Sequence, residues 1–150
     1  MTGRTIQPTA LARLIEQTSR AIHSRGHSHG LFPAQWTALR YFAEAETALC
    51  NASALAAYQG MAFGPVSRTV RTLITKGFLR KAAKAKSGRF ELVEVTPAGH
   101  ALLANDPLAG VVEALDTLPL PTRQALALAL EAIVFRLQGA EGDDSLTPEG

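Results

Sequence analysis

The sequence predicts a mainly α-helical protein with one small β-hairpin. Apolar residues recur at helical spacing through most of the 150 residues, and prolines, glycines and capping residues separate the periodic segments. Residues 78–95 are different, because they form two extended runs joined by a turn-like segment that contains Gly88. We therefore expect helices on both sides of a single hairpin.

Length and composition favour one compact domain. The chain is 47% hydrophobic and 19% charged, which is enough apolar material for one core. We expect residues 1–138 to form this domain and residues 139–150, which are acidic and lack a base, to form a disordered tail. No apolar run is long enough for a membrane span or resembles a signal peptide, so we expect a cytoplasmic protein.

Three helices are predicted before residue 61. The first spans residues 8–26 and places Leu11 and Ile15 on one apolar face before Gly26 ends it. The second opens at Pro33 and ends near residues 44–46. The third follows a cap at Asn51 or Ser53 and ends at residues 59–60.

A fourth helix should have one apolar and one basic face. It is expected to begin at residues 64–65, because a proline at the first helical position loses no hydrogen bond, and to run to Lys76 before Gly77. Its apolar residues are Val66, Val70, Leu73 and Ile74. The opposite face carries Arg68, Arg71, Thr72 and Thr75. The hairpin follows, with extended runs at residues 78–83 and 90–95 and a basic tip at residues 84–89.

The net charge of +2 conceals a strong segregation of charge. Residues 47–90, the acid-free segment, contain no Asp or Glu and eight bases: Arg68, Arg71, Lys76, Arg80, Lys81, Lys84, Lys86 and Arg89. Like charges without counter-charges repel one another, so this segment is expected to meet an anion. The alternative is a solvated basic face.

The C-terminal part predicts further helices and a partner subunit. A helix capped at Thr96-Pro97 should kink at Asp106-Pro107, and residues 118–121 should break it. The last helix, from Thr122 to about Leu137, is apolar nearly all round, which predicts contact with a second subunit. The alternative is a helix wrapped by the first helix. The expected dimerisation helices span residues 8–26 and 108–138, with interface residues Leu11, Ile15, Leu126, Leu130, Ile133, Val134 and Leu137.

This element order is that of a winged helix-turn-helix. Four segments also resemble the MarR family of bacterial transcriptional regulators: LFPAQWTALR (31–40), SALA (53–56), VSRTVRTLITKGFL (66–79) and LVEVTPAGHALL (92–103). The most specific parts are Thr96 to Gly99 and the pair Ser67-Arg68 followed by Lys76-Gly77. The resemblance implies a dimer whose lobe at residues 31–103 binds a pseudo-palindromic operator, typically as a repressor that a small molecule or oxidant releases.

The wing departs from the pattern of the resembled family at one position. That family usually carries an aspartate two residues before the arginine of the wing, whereas Ser87 precedes Arg89 here. Without the acid that would hold Arg89, we expect a looser wing and a contact with phosphate.

The DNA contacts are expected on the fourth helix and the wing. Arg68 and Arg71 should reach base edges or adjacent phosphates, because a guanidinium matches the paired acceptors of guanine and phosphate oxygens alike. The other expected contacts are Ser53, Gly64, Pro65, Ser67, Thr72, Lys84, Lys86 and Arg89. The main alternative is a winged-helix module that binds a protein or a lipid instead of DNA.

Other candidate sites are fewer. Phe32, Trp36 and Tyr41 could line an effector pocket, although an aromatic stripe at helical spacing often belongs to the core. Cys50, the single cysteine, could sense oxidants or simply pack. We expect no metal at His23, His27 and His29, since no cysteine or carboxylate nearby completes a site, but a ligand- or pH-related role stays open. We expect no cofactor, and the absence of catalytic motifs predicts that the chain is not an enzyme.

Overall fold

The computed structural model describes residues 5–82 and 91–141. The elements in chain order are α1 (Pro8–Arg25), α2 (Pro33–Glu44), a 3₁₀ turn (Thr47–Leu49), α3 (Ala52–Gln59), α4 (Phe63–Thr75), β1 (Leu79–Lys81), β2 (Val93–Val95), α5 (Pro97–Leu103), α6 (Ala109–Asp116) and α7 (Leu120–Glu141). The prediction of a mainly helical chain with one hairpin is therefore confirmed. The chain divides into two compact units, residues 1–109 and 110–150.

The core of the first unit lies where α2, α3, α4 and the hairpin meet. Trp36 and Leu39 of α2 are fully buried, and Leu73 of α4 is buried against the same cluster. Apolar residues at helical spacing on α2 and α4 produce this packing, as the sequence predicts. The basic side of α4 consequently faces away from the core.

The hairpin is a two-stranded antiparallel sheet. Its register pairs Leu79 with Val95, Arg80 with Glu94, and Lys81 with Val93. The N–H of Val93 also donates to the carbonyl of Cys50 at 2.8 Å, which ties β2 to the segment before α3. Both strands are shorter than the predicted extended runs.

Both ends of α3 follow ordinary capping chemistry. Asn51 caps α3, because its side-chain oxygen accepts from the N–H of Ala54 at 2.8 Å, so Asn51 and not Ser53 is the cap. Gly60 ends α3 in the left-handed conformation, with φ of 62°. The helix α4 begins at Phe63, one residue before the predicted start.

The segment Thr96 to Gly99 joins β2 to α5 by a tight backbone approach. Thr96 caps α5 by accepting from the N–H of Gly99 at 3.1 Å, and its hydroxyl donates to the carbonyl of Gly77 at 2.6 Å. A Cβ at position 99 would lie 2.3 Å from the carbonyl oxygen of Phe78. Glycine is therefore required there by contact with the Phe78 backbone.

Two differences from the sequence-based prediction lie in the C-terminal helices. The expected kink at Asp106-Pro107 is a complete break, because α5 ends at Leu103 and α6 starts only at Ala109. The helix α7 runs from Leu120 to Glu141, so residues 139–141, predicted as tail, are helical. The rest of that predicted tail lies outside the described residues.

The helices α1 and α7 carry exposed apolar side chains. All seven predicted interface residues are exposed: Leu11, Ile15, Leu126, Leu130, Ile133, Val134 and Leu137. Leu128 and Phe135, on the opposite face of α7, are more exposed still, at 70% and 81%. Among the described helices, none is long and apolar enough to cross a membrane.

Candidate nucleic-acid interface

The outer face of α4 presents two arginines to solvent. Val66, Val70 and Leu73 are buried on the inner side, whereas Arg68 and Arg71 are exposed. Within the described residues, neither arginine has an acidic partner. Both guanidinium groups are therefore available to an anionic ligand.

The first turn of α4 is open to a close approach. Ala62, the residue before the helix, has no side-chain acceptor, and Gly64 and Pro65 are both exposed. A Cβ at position 64 would have no neighbour within 4 Å. The first backbone N–H groups of a helix have no partner within it, so this end suits contact with phosphate oxygens.

A cavity of about 470 Å³ borders the same helix. Its walls include Ser53 of α3, Ser67 and Arg71 of α4, Lys81 of β1, and Glu91 shortly before β2. The structure thus brings together three of the residues predicted from sequence to contact DNA. Thr72 lies elsewhere on α4, where its hydroxyl donates to the carbonyl of Arg68 at 3.0 Å.

Three further bases of the acid-free segment are already engaged. Nε of Arg80 lies 2.7 Å from Oε1 of Glu94, and Nζ of Lys81 lies 2.8 Å from Oε1 of Glu91. Nζ of Lys76 donates to the carbonyl of Gly30 at 2.6 Å. The segment is acid-free in sequence, but acids just beyond it reach two of its bases. Its uncompensated charge is therefore lower than the sequence count indicates.

The predicted wing residues Lys84, Lys86 and Arg89 lie outside the described residues. The same holds for Ser87, at which the sequence departs from the pattern of the resembled family. Their proposed contacts with DNA stay predictions.

The three aromatic residues predicted to line an effector pocket are separated by the fold. Trp36 is fully buried in the core and its indole N–H donates to the carbonyl of Ser28 at 3.3 Å, so it is not a pocket wall. Phe32 is 61% exposed but lines neither of the cavities described here. Tyr41 lines one of these cavities. It lies at the edge of the apolar face of α2 and is only partly buried, whereas Trp36 is fully buried.

The cavity at Tyr41 has a volume of about 360 Å³. Its walls also include Arg40 and Tyr58, and the two tyrosine rings lie 5.2 Å apart. Burial, with smaller contributions from Cys50 and Tyr58, raises the pKa of the Tyr41 phenol. Nε of Arg40 is 2.8 Å from Oδ2 of Asp106, but its N–H does not point at that oxygen, so the contact is an ion pair without a well-aligned hydrogen bond.

The surroundings of Cys50 favour packing over redox chemistry. The thiol is buried, and its Sγ lies 3.5 to 3.7 Å from the carbonyl oxygens of Phe42, Ala45 and Glu46. Burial raises its pKa, which lowers the thiolate fraction at neutral pH. A low pKa and access to solvent are the marks of a reactive cysteine, and Cys50 has neither.

The histidines near the end of α1 make aromatic contacts. The rings of His23 and His27 meet edge to face at 5.3 Å, and His27 meets Phe32 at 5.6 Å. His29 lies against Trp36 at 6.2 Å. In the part of the chain that the structure describes, no group of three His, Cys, Asp or Glu residues is placed to hold a metal ion.

Sequence reasoning missed an exposed apolar surface beside the arginines. Met61 and Phe63, which precede and begin α4, are 49% and 55% exposed. The sequence letters MAFGP at residues 61–65 carry no polar side chain, which could have signalled this surface.

Comparison with solved structures identifies the architecture. A probable transcriptional regulator from Pseudomonas aeruginosa is 27% identical, covers 85% of this chain and 96% of its own, and superposes with a TM-score of 0.63. A MarR/EmrR family transcriptional regulator from Acinetobacter sp. ADP1 is 15% identical over 91% of this chain and 99% of its own, with a TM-score of 0.70. No protein-family profile and no curated protein sequence matches the chain.

A third similar structure contains a ligand. It is a MarR family protein from Mycobacterium tuberculosis in complex with salicylic acid, 19% identical over 86% of this chain and 97% of its own, with a TM-score of 0.59. The first two proteins are named as transcriptional regulators and the third as a MarR family protein, and none of the three names describes an enzyme, in line with the expectation from sequence.

Proposed function

We propose that this chain, which has the winged-helix fold of the MarR-type regulators, is a sequence-specific DNA-binding transcription regulator. The observation that carries the proposal is the pair of exposed arginines, Arg68 and Arg71, on the outer face of α4. In helix-turn-helix proteins the second helix of the motif enters the major groove with its N-terminal part leading. Here that part is open and uncapped, and the arginines follow it.

The protein is proposed to act as a homodimer on a pseudo-palindromic operator and to repress transcription from it. The exposed apolar residues of α1 and α7 support a second copy as the partner of these helices. Two copies would present two α4 helices, and a two-fold symmetric operator would match them.

The test is the salt dependence of binding to a pool of random DNA duplexes, followed by selection of a preferred sequence. Neutralising Z phosphates gives a slope of log K against log salt of about −0.9Z, so a steep negative slope is expected. Replacing both Arg68 and Arg71 by Ala should flatten the slope by about one unit, because Arg71 is the expected phosphate contact and Arg68 the expected base contact. Arg20→Ala, which removes a base paired with Glu16 on α1, is the matched control and should leave it unchanged.

A protein-binding module would give a different result. A shallow slope without any selected sequence would contradict the DNA-binding proposal and favour that alternative. A steep slope without a selected sequence would retain DNA binding but contradict its specificity.

We also propose that a small aromatic effector binds the cavity of Tyr41 and Tyr58 and releases the DNA. Two aromatic walls suit a small aromatic ring, and the polar groups beside them are Arg40, which is paired with Asp106, and Glu44. Salicylate is the probe, because the similar Mycobacterium tuberculosis protein was solved with it. Calorimetry should show binding to the wild type and to Phe32→Ala but weaker binding to Tyr58→Ala, and salicylate should lower DNA affinity. Equal binding by all three proteins would place the effector elsewhere.

A further inference from the structure

The turn before α4 and the first turn of that helix are both apolar, although turns are usually polar. Residues 61–65 contain no polar side chain, and all five are exposed. Phe63 is 55% exposed. It is not part of the core of the first unit, where other large apolar side chains are buried. Single exposed apolar residues are common, but a continuous exposed run marks an interaction surface.

The neighbours of Phe63 restrict what this surface can meet. Phe63, Ser67 and Arg71 are spaced four residues apart, so they form one stripe along α4, and all three line the 470 Å³ cavity. Arg68 lies on the adjacent exposed face. A partner must therefore offer an apolar contact to Phe63 and negative charge within one or two helical turns.

The major groove of DNA offers this combination. Its edges carry phosphates, and the C5 methyl of thymine is the apolar group that a base presents there. As the first residue of α4, Phe63 belongs to the part of the helix that contacts base edges in helix-turn-helix proteins. An acidic protein surface could also supply both features, and its carboxylates would suit a helix N-terminus as phosphates do. The winged-helix fold favours DNA, because the second helix of that motif enters the major groove.

We infer that Phe63 reads a thymine in each half-site of the operator by packing against its C5 methyl group. The inference rests on the proposed function and adds a determinant of sequence specificity to it. Arg68 would select by hydrogen bonds, and Phe63 by apolar contact.

The size of the expected effect follows from burial of one carbon atom. Removing a single methyl contact should weaken binding about fourfold, and removing both in a symmetric operator should weaken it about 15-fold. Replacing thymine by deoxyuridine deletes this methyl group and keeps the base pair.

The experiment is a deoxyuridine scan of the selected operator. Symmetry-related thymines are replaced in pairs, and affinities are measured at fixed salt for wild type, Phe63→Ala, Phe63→Gln and Phe32→Ala. One pair should cost wild type and Phe32→Ala about 15-fold. The same pair should cost Phe63→Ala and Phe63→Gln nearly nothing. Phe32 is a suitable control because it is similarly exposed and precedes a different helix.

The result separates this inference from the proposed function. If wild type selects no operator, both are wrong. If it selects one but no thymine pair shows a methyl penalty, or the penalty persists in the Phe63 variants, only the role of Phe63 is wrong. Should such variants instead change self-association in sedimentation, the surface is a protein contact. If Phe63→Ala fails to fold, the scans of wild type and Phe63→Gln still decide whether Phe63 contacts the thymine methyl group.

Discussion

Arg80 lies directly opposite Glu94 in the hairpin, and its Nε is 2.7 Å from Oε1 of the glutamate. Both side chains are about half exposed. Glu94 lies just outside the acid-free segment in sequence, and only the antiparallel register brings it to Arg80. Arg80 is therefore neutralised within the protein, whereas Arg71 has no acidic partner among the residues that the structure describes.

This pairing predicts unequal effects of two charge deletions on DNA binding. Arg80→Ala should change the slope of log K against log salt by clearly less than one unit. Arg71→Ala should reduce its magnitude by about 0.9, as expected for one lost phosphate contact. Binding titrations at three or more salt concentrations measure both slopes. Equal slopes for the two variants would contradict the assignment of Arg80 to Glu94.

Arg68 should determine the preferred base at one operator position in each half-site. Arg68→Ala is expected to cost about 1–3 kcal/mol and to flatten the preference there, because a bidentate contact is lost. Arg68→Lys should recover little, since an ammonium lacks the planar fork. Titrations against the operator and its single-base variants test this. Wild-type discrimination by Arg68→Ala would mean that another face of α4 enters the groove.

Gly99 should tolerate no side chain. In Gly99→Ala the new Cβ would approach the carbonyl oxygen of Phe78 and Cγ1 of Val95, so the free energy of unfolding should fall by about 1–3 kcal/mol or more. Gly64→Ala is the control, because its Cβ would meet nothing and helix propensity favours Ala. Urea unfolding compares the two variants. Similar stabilities would show that the contact at Gly99 relaxes without cost.

The burial of Cys50 predicts a loss of stability at alkaline pH. Because its pKa is raised in the folded state, the unfolded chain ionises first, and folding weakens as pH rises above about 8.5. Wild type should therefore lose more unfolding free energy between pH 7 and pH 9.5 than Cys50→Ala. Urea titrations at both pH values measure the difference. Rapid alkylation of the native protein by iodoacetamide at pH 7 would contradict burial.

The predicted dimer should dissociate when a charge is placed in its interface. Ile133→Lys should give a monomer at micromolar concentration in sedimentation, because an unpaired ammonium is costly to bury. Phe135→Lys changes the opposite face of α7 and should leave the dimer intact. If only Phe135→Lys dissociates the dimer, the interface lies on the face of α7 that carries Phe135. A monomeric wild type would contradict the dimer itself.

Periodicity and local chemistry were sufficient to predict most elements. The apolar spacing on α2 and α4 follows from the geometry of a helix, and Asn51, Gly60 and Thr96 act within a few residues of their own positions. Boundaries were less certain, as the early start of α4 and the break between α5 and α6 show. Local helix propensity at Asp106-Pro107 did not distinguish a kink within one helix from the end of a helix.

Helical spacing in the sequence was sufficient to predict which residues of α4 are buried and which are exposed, and it placed Arg68 on the outer face. Which bases have a partner depends on tertiary contacts, because Arg80 meets Glu94 only through strand register and Lys76 reaches the carbonyl of Gly30 only through packing of segments 46 residues apart. The tertiary structure likewise placed Trp36 in the core and Tyr41 beside a cavity. Helical spacing defines an apolar face, but only the neighbouring elements decide how much of that face they cover.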